Sequence, residues 1–293
     1  MNERVSIALP CGITVDGAHS RAADLRELTS EEQLFLTEHC ESLPPAQWTT
    51  EVLARCVTRL GATRAPDRSA IRALTVGDRD ALLLHLHALL FGEALACEAC
   101  CPVEDCGEKL EIRLAVRDLL VPVYSITARE HESQVADAAG NSARVRFRLP
   151  NGDDHEAAAA LARSDVDAAL AQLVQRCVLA LEPSADGRAA SAASLPVALE
   201  QTLSERMAEL DPQAELLLRA GCPACGGAFR ARFDIASFLK QRMTERAQVL
   251  YREVHLLAFH YHWSERDIVG MSARKRQRYL RLIETELARG TLQ

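Results

Sequence analysis

Aromatic residues are scarce in this sequence of 293 residues, and it has no long uninterrupted apolar segment. Phe, Trp and Tyr together make up 4% of the chain, whereas Ala, Leu, Arg and Glu are abundant, a composition that favours helices over a large sheet. The most apolar stretch, residues 81–96, contains two histidines and Glu93, so we expect no membrane-spanning helix. The first residues are charged and no apolar segment follows them, which argues against a secretory signal and predicts a cytoplasmic protein.

The sequence also lacks the common catalytic motifs. It contains no glycine-rich phosphate loop, no serine nucleophile elbow and no dinucleotide-binding fingerprint. His255, His260 and His262 lie near one another in the sequence but not in the His-Glu-x-x-His order of a metalloprotease. A formal net charge of −7 argues against a protein that coats nucleic acid non-specifically. We therefore predict a protein that is not an enzyme.

Ten cysteines are the most informative feature of the sequence. Without an export signal they point to a reducing compartment, where clustered cysteines hold metal more often than they form disulfides. The segment Cys222-Pro-Ala-Cys225-Gly226 is typical of a zinc knuckle, because two thiolates two residues apart can point at one ion and the glycine permits the turn. Apolar residues then alternate from Phe229 to Ile235, which predicts a half-buried strand.

A second cysteine pair upstream completes the predicted site. Cys106-Gly107 and the alternating residues after it align without a gap on Cys225-Gly226 and its strand, although Cys101 and Cys106 are two residues further apart than the downstream pair. Cys97 and Cys100 have the ideal spacing, but nothing after them matches, so we choose the other pair and keep Cys97 and Cys100 as the alternative ligands. The predicted cofactor is one structural Zn²⁺ per chain, and reduced cysteines without a metal are the alternative. The predicted metal ligands are Cys101, Cys106, Cys222 and Cys225.

The alignment of the two knuckles indicates an internal repeat. Residues 4–12 and 144–152 support it, because both fit the pattern Arg-Val-x-apolar-x-Leu-Pro-x-Gly, which is typical of a strand followed by a turn. The predicted fold class is mainly α with small β elements. It comprises two tandem repeats, each with a zinc-knuckle or ribbon hairpin, and a helical C-terminal tail. A zinc bound by four thiolates has no open position for catalysis, so a hydrolase stays an alternative only if the metal site proves to be open.

The repeat pattern also predicts the domain organisation. The predicted parts are residues 1–126, the first repeat with its zinc knuckle; 127–142, a linker; 143–240, the second repeat with its zinc knuckle; and 241–293, the helical C-terminal tail.

The tail carries the clearest helical periodicity. Apolar residues recur at helical spacing from Phe238 to Ala258 and predict one long amphipathic helix, followed by a short helix that begins at Ser264 and a last helix that begins at Ser272. Residues 274–281 are basic and include no acidic residue. Such a surface could read DNA as a helix-turn-helix, or it could dock on an acidic protein partner; the acidic balance of the whole chain favours the protein partner.

Several segments resemble one protein family. They are Asp211-Pro-Gln-Ala-Glu-Leu216, Cys222-Pro-Ala-Cys-Gly226, Phe233-Asp-Ile235 and the tail from Glu253 to Tyr279. In these segments the sequence is similar to the T-even-type phage baseplate and baseplate-hub assembly proteins, in the form found in contractile injection system gene clusters. The resemblance implies a non-enzymatic assembly factor or structural component of a contractile tail baseplate. It implies other baseplate or tail proteins of the wedge or hub as partners. Hydropathy predicts no contact with a membrane, the acidic balance disfavours nucleic acid as a partner, and we expect the protein in the cytoplasm or incorporated in the contractile particle.

The alternative function is a zinc-stabilised DNA-binding regulator that uses the basic tail. Binding to DNA that weakens with salt would favour this regulator, and purification together with wedge or hub proteins would favour the baseplate factor.

Overall fold

The computed structural model of the protein describes residues 4–15, 17–124, 128–136, 142–183 and 197–290. Helices make up 52% and strands 27%, and the strands form four antiparallel sheets. The predicted fold class, mainly α with small β elements and two tandem repeats, is therefore wrong, and the protein is a mixture of α and β structure. The structure does not show the tandem repeats: the sheet in the first predicted repeat has four strands and that in the second has three.

The underestimate of strand content has a physical reason. Strand preference depends on pairing and burial more than on residue type, so strands rich in Ala and Arg are hard to recognise in a sequence. The second strand of the first sheet, Ala18–Arg26, contains three alanines and two arginines and still pairs along most of its length with the first strand.

The first sheet covers a large apolar core. Its strands lie in the order β1 (Arg4–Val15), β2 (Ala18–Arg26), β3 (Val57–Leu60) and β4 (Thr63–Arg64). Helices α1 (Ser30–His39) and α2 (Pro45–Cys56) connect β2 to β3. Helix α1 begins with a capping box between Thr29 and Glu32, as the sequence predicts.

A buried helix passes through the centre of this core. Helix α3 (Arg68–Arg72) precedes α4 (Val76–Phe91), in which Leu82, Leu84 and Leu86 are fully buried. A helix that is apolar on most of its surface must be covered on most sides, and α4 contacts β1, β2 and α2, among other elements. Its N-terminal cap is Thr75, whose side chain accepts from the N–H of Asp78.

Two β-hairpins extend from this region. The first hairpin consists of β5 (Ala94–Cys100), β6 (Lys109–Ala115) and the loop 101–108, and the short helix α5 (Val116–Leu119) follows it. The second hairpin consists of β10 (Leu216–Gly221), β11 (Ala228–Phe233) and the loop 222–227. Leu95 of the first hairpin and Leu218 and Phe233 of the second belong to the same buried apolar cluster.

The remaining sheet has its own core. It consists of β7 (Glu130–Ala136), β8 (Ser142–Arg148) and β9 (Val178–Pro183). The helices beside it are α6 (Gly152–Leu161), α7 (Val166–Cys177) and α8 (Val197–Leu210), followed by a 3-10 turn, Pro212–Ala214. Phe147, Val174 and Leu203 are fully buried in this second cluster.

The C-terminal part folds back on the first sheet's helices. It consists of α9 (Ile235–Tyr261), α10 (Glu265–Val269) and α11 (Ala273–Gly290). Tyr251 on α9 donates a hydrogen bond to Glu38 on α1, and Leu250 packs against Leu34. No helix in the described ranges is both long and apolar enough to cross a membrane.

The division into domains at residues 126, 142 and 240 stays a prediction. Strand β7 lies inside the stretch predicted as a linker, and residues 137–141 of that stretch lie outside the described residues. Helix α9 is continuous across residue 240.

Candidate metal centre

The tips of the two hairpins bring four cysteine sulfurs together. Cys101 and Cys106 come from the loop of the first hairpin, and Cys222 and Cys225 come from the loop of the second. All four Sγ atoms lie within 4.8 Å of one another. The structure therefore assembles the four residues that the sequence singled out, and this cluster could bind a metal ion.

The sulfur separations suit a tetrahedral ion better than disulfide bonds. The Sγ atoms of Cys101 and Cys225 are 3.7 Å apart, and those of Cys106 and Cys222 are 3.6 Å apart. Bonds of about 2.3 Å from a tetrahedral Zn²⁺ would place two sulfurs about 3.8 Å apart, whereas a disulfide joins sulfurs at about 2.05 Å. The donor set also suits a thiophilic ion, since it contains only sulfur.

The hairpins present these sulfurs through similar backbone turns. The first cysteine of each pair directly follows a strand, and its N–H closes the loop on a carbonyl: Cys101 on Glu108 at 2.8 Å, and Cys222 on Gly227 at 2.9 Å. Gly226 has a φ of +72°, a conformation that favours glycine, and its N–H donates to the carbonyl of Cys222. The glycine after the second cysteine thus has the role that the sequence predicts.

A second glycine of this loop permits the close approach of the two tips. A Cβ atom on Gly227 would lie 2.8 Å from Cγ2 of Val103 and 3.3 Å from the sulfur of Cys225. The first distance is shorter than van der Waals contact between carbon atoms allows. Gly227 therefore lets Val103 of the first hairpin rest against the second, a contact that could not be predicted from the sequence.

Backbone N–H groups stabilise negative charge on the sulfurs. The N–H of Cys225 makes the largest contribution to a pKa of about 7 for the Cys222 thiol, below its usual value, and the N–H of Ala224 adds to it. The N–H of Gly227 donates to the Cys225 sulfur at 3.4 Å. For Cys101 the N–H of Val103 acts in the same direction, but burial and the neighbouring thiols raise the pKa to about 12. A cation among the four sulfurs would favour the thiolate form of each.

The other cysteines near the first knuckle lie outside this cluster. Cys97 faces the apolar core from β5, with its sulfur 3.7 Å from the carbonyl oxygen of Ile112, and Cys100 is exposed at the end of the strand. In the part of the chain that the structure describes, no further group of three or more potential ligands lies close enough to hold a metal. His255, His260 and His262 therefore belong to no such group among the described residues.

The basic segment of the tail is only partly exposed. Arg276 is 3% exposed, and its guanidinium pairs with Glu253 at 2.7 Å and donates to the hydroxyl of Ser30 at 3.0 Å. Arg276 therefore joins α11 to α9 and α1 and is not available to a partner, whereas Arg274 and Arg278 are exposed.

A buried polar network joins the bases of the two hairpins, and sequence reasoning missed it. Gln213, in the 3-10 turn between α8 and β10, is fully buried. Its side chain accepts from the N–H of Val121 at 2.8 Å and donates to the carbonyl of Leu119 at 3.2 Å, in the segment that follows β6. Nearby, Asp211 accepts from the N–H of Gly77 at 3.0 Å and from the hydroxyl of Tyr124 at 2.8 Å. In the sequence, the only signal for this network is that an acidic residue, Asp211, and an amide residue, Gln213, stand just before an apolar strand.

A family of known proteins matches most of the chain. The family model described as T4 bacteriophage base plate protein matches residues 19–240 of the 293, a range that includes both hairpins and ends just before the predicted C-terminal tail. No curated protein and no solved structure matches the chain. The match extends over more than half of the sequence, and the chain therefore belongs to the T4 bacteriophage base plate protein family.

Proposed function

We propose that this protein is a non-enzymatic structural component or assembly factor of a phage-like contractile baseplate, and that a structural zinc ion joins its two hairpins. The family match supports the baseplate role. Four thiols from two distant parts of the chain, with all their sulfurs within 4.8 Å, support the metal.

The all-cysteine donor set supports a structural ion rather than a catalytic one. A tetrahedral zinc with four thiolates has no position left for water or substrate. The hairpins are far apart in sequence, so the ion would close a long loop and its binding would contribute directly to folding. In this role Cys101, Cys106, Cys222 and Cys225 each supply one thiolate.

Partners of the protein would be other baseplate or tail proteins of the wedge or hub, as its family suggests. The DNA-binding alternative gains no support from the tail, because Arg276 is paired with Glu253 and buried. A basic helix that uses one of its arginines inside the protein has fewer cations for phosphate contacts.

Two measurements test this proposal. Elemental analysis of protein purified without chelators should give one zinc per chain. Deleting the coding sequence in cells that produce the particle should abolish complete baseplates, as seen by electron microscopy, and expression of the wild-type chain should restore them. Protein without zinc would overturn the metal assignment, and normal baseplates in the deletion strain would overturn the structural role.

A further inference from the structure

The last helix, α11, has one face packed on the protein and one face in solvent. Tyr279 and Ile283 pack in the small apolar cluster that includes Leu257 of α9, and Arg276 is buried against Glu253 of the same helix. Because residues three and four apart lie on one side of a helix, Arg276, Tyr279 and Ile283 define its inner face. The opposite face of α11 is exposed to solvent.

The exposed face carries a row of arginines. Each residue turns a helix by about 100°, which places four exposed arginines on the side opposite the inner face, with Thr285 among them. We call these four residues the arginine stripe: Arg274, Arg278, Arg281 and Arg289. The stripe extends about 22 Å along the helix.

The arginine stripe has no anionic partner within the described structure. The two acidic residues of α11, Glu284 and Glu286, lie on the two flanks of the helix and not on the stripe. Among the described residues, no carboxylate forms an ion pair with an arginine of the stripe; the ion pairs of the C-terminal helices are those of Arg242 and Arg276. Residues 273–290 contain six basic and two acidic residues, a net charge of +4 in a chain whose net charge is −7.

The placement of these cations is unfavourable for the helix itself. Helix α11 has no acidic residue in its first turn, whereas α1 and α10 each have two. Cations near the N-terminus oppose the helix dipole, and like charges three or four residues apart repel each other. An anionic surface along the stripe would relieve both effects.

The surroundings of the stripe fit a protein partner better than nucleic acid. Arginine can make paired hydrogen bonds to a carboxylate as well as to a phosphate. Leu282 lies one turn after Arg278 and is 48% exposed at the edge of the stripe. An apolar side chain beside arginines is typical of protein interfaces, and a phosphate backbone offers it no apolar contact.

We propose that the arginine stripe and Leu282 bind an acidic amphipathic helix of a partner protein, an inference that rests on the baseplate role proposed above. Carboxylates three or four residues apart on the partner helix match the spacing of the stripe, and an apolar side chain beside them meets Leu282. The inner face of α11 stays packed on α9, so the contact requires no rearrangement of the chain.

A binding titration tests the chemistry of the partner. The probe is a synthetic helical peptide with a glutamate at every third or fourth position and leucines beside them, added to the full-length protein with its metal retained. We expect binding that weakens at least tenfold in dissociation constant between about 50 mM and about 500 mM salt, because exposed charges are screened. Leu282→Ser should weaken peptide binding as well.

Charge reversal at the stripe should weaken peptide binding at least tenfold. In Arg274→Glu/Arg278→Glu/Arg281→Glu the new carboxylates lie toward the N-terminus of the helix, where the dipole favours them, so the melting temperature should not fall. The control is a variant with the same change of charge at exposed arginines outside α11, and it should bind the peptide like the wild type: Arg64→Glu/Arg117→Glu/Arg163→Glu.

Complementation in cells tests the biological role of the contact. In a strain that lacks the coding sequence, the control variant should restore complete baseplates and the stripe variant should not. Complete baseplates with the stripe variant would overturn this proposal and leave the baseplate role intact, whereas complete baseplates in the deletion strain itself would overturn the baseplate role.

The titration decides the acidic partner independently of that outcome. Wild-type protein that does not bind the peptide would overturn the proposal, as would equal binding by the stripe variant and the control variant. If the wild type binds a duplex DNA oligonucleotide more tightly than the peptide, and Leu282→Ser leaves DNA binding unchanged, the stripe is a nucleic-acid surface instead.

Discussion

The two cysteine hairpins share one backbone design but differ in loop length. Loop 101–108 has two more residues than loop 222–227, and it accommodates them with two positive φ values, at Asp105 and Gly107, where the shorter loop has one, at Gly226. In both loops the first cysteine closes the turn through its N–H. The site therefore requires the cysteines to lie at the ends of the strands, and it does not require the two loops to have the same length.

The hairpins also differ in where they are packed tightly. A Cβ on Gly107, or on Gly226 at the matching position of the second hairpin, would meet no atom within 4 Å, whereas a Cβ on Gly227 would collide with Val103. At their bases the hairpins are joined by hydrogen bonds of Gln213 to the segment after β6. The contact between the hairpin tips depends on the cysteine cluster and on the small size of Gly227, whereas the contact between their bases depends on the buried side-chain amide of Gln213. The following changes separate these contributions.

The largest effect should come from removing one sulfur of the cluster. We expect Cys225→Ser to abolish zinc binding and to destabilise the protein by roughly 4–5 kcal/mol or more, since loss of a structural metal is among the most severe effects of a point mutation. Elemental analysis and thermal unfolding measure the two results. The matched controls are Cys97→Ser and Cys100→Ser, which should leave the zinc content unchanged. Zinc loss in a control and not in Cys101→Ser would reassign the ligands of the first hairpin.

The base of the hairpins comes next. Gln213→Ala would leave the N–H of Val121 and the carbonyl of Leu119 buried without their partner. We expect about 2–4 kcal/mol of destabilisation in urea unfolding, because each unsatisfied buried group costs about 1–3 kcal/mol. Zinc content should stay at one per chain. If zinc is lost as well, the tip depends on the base, and the two contributions are not separate.

The sequence predicted the cluster better than it predicted the fold. Cysteine spacing is a local signal, and the glycine after Cys225 reflects a backbone requirement that is visible in sequence, so the four clustered residues could be identified. The strands could not, because pairing of an Ala- and Arg-containing segment such as β2 depends on its neighbours. The role of Gly227 requires knowing that Val103 lies against it, which is a contact between distant parts of the chain.

The same limit applies to charged residues. Asp78 lies at the start of an apolar helix, where an aspartate often forms the N-terminal cap. In the structure Thr75 is the cap, and the Asp78 carboxylate accepts from the N–H groups of Cys11 and Gly12 at 2.8 and 2.9 Å. Arg276 looked like part of a basic surface and is buried against Glu253. In both cases the partner is more than twenty residues away, where periodicity gives no information.

A smaller effect should follow from crowding the hairpin tips. Gly227→Ala would push a methyl group against Val103, and overpacking of this kind costs about 1–3 kcal/mol. Gly221→Ala is the matched control, because a Cβ there would meet nothing within 4 Å and the residue lies in the same hairpin. Unfolding in urea should show a loss for the first variant and little change for the second. Equal stability of the two variants would show that the tips are not in close contact.

A pH dependence of the stability should come from outside the hairpins. Burial, and then the neighbouring charge of Asp211, raises the pKa of Asp78 from 3.8 to about 7 despite its two backbone hydrogen bonds. The folded protein therefore keeps this proton up to a higher pH than the unfolded chain does. The stability that Asp78 contributes is complete below about pH 4 and is lost as the pH rises toward 7, by at most about 1.4 kcal/mol per pH unit.

Replacing Asp78 by Asn tests this sign directly. The free energy of unfolding of the wild type, minus that of Asp78→Asn, should fall between pH 5 and pH 7 and become constant above pH 7. Taking the difference removes the pH dependence of the metal site, since both proteins carry the same four cysteines. A difference for Asp78→Asn that rises with pH would mean that the ionised carboxylate, held by Cys11 and Gly12, stabilises the fold, and that burial is the weaker effect.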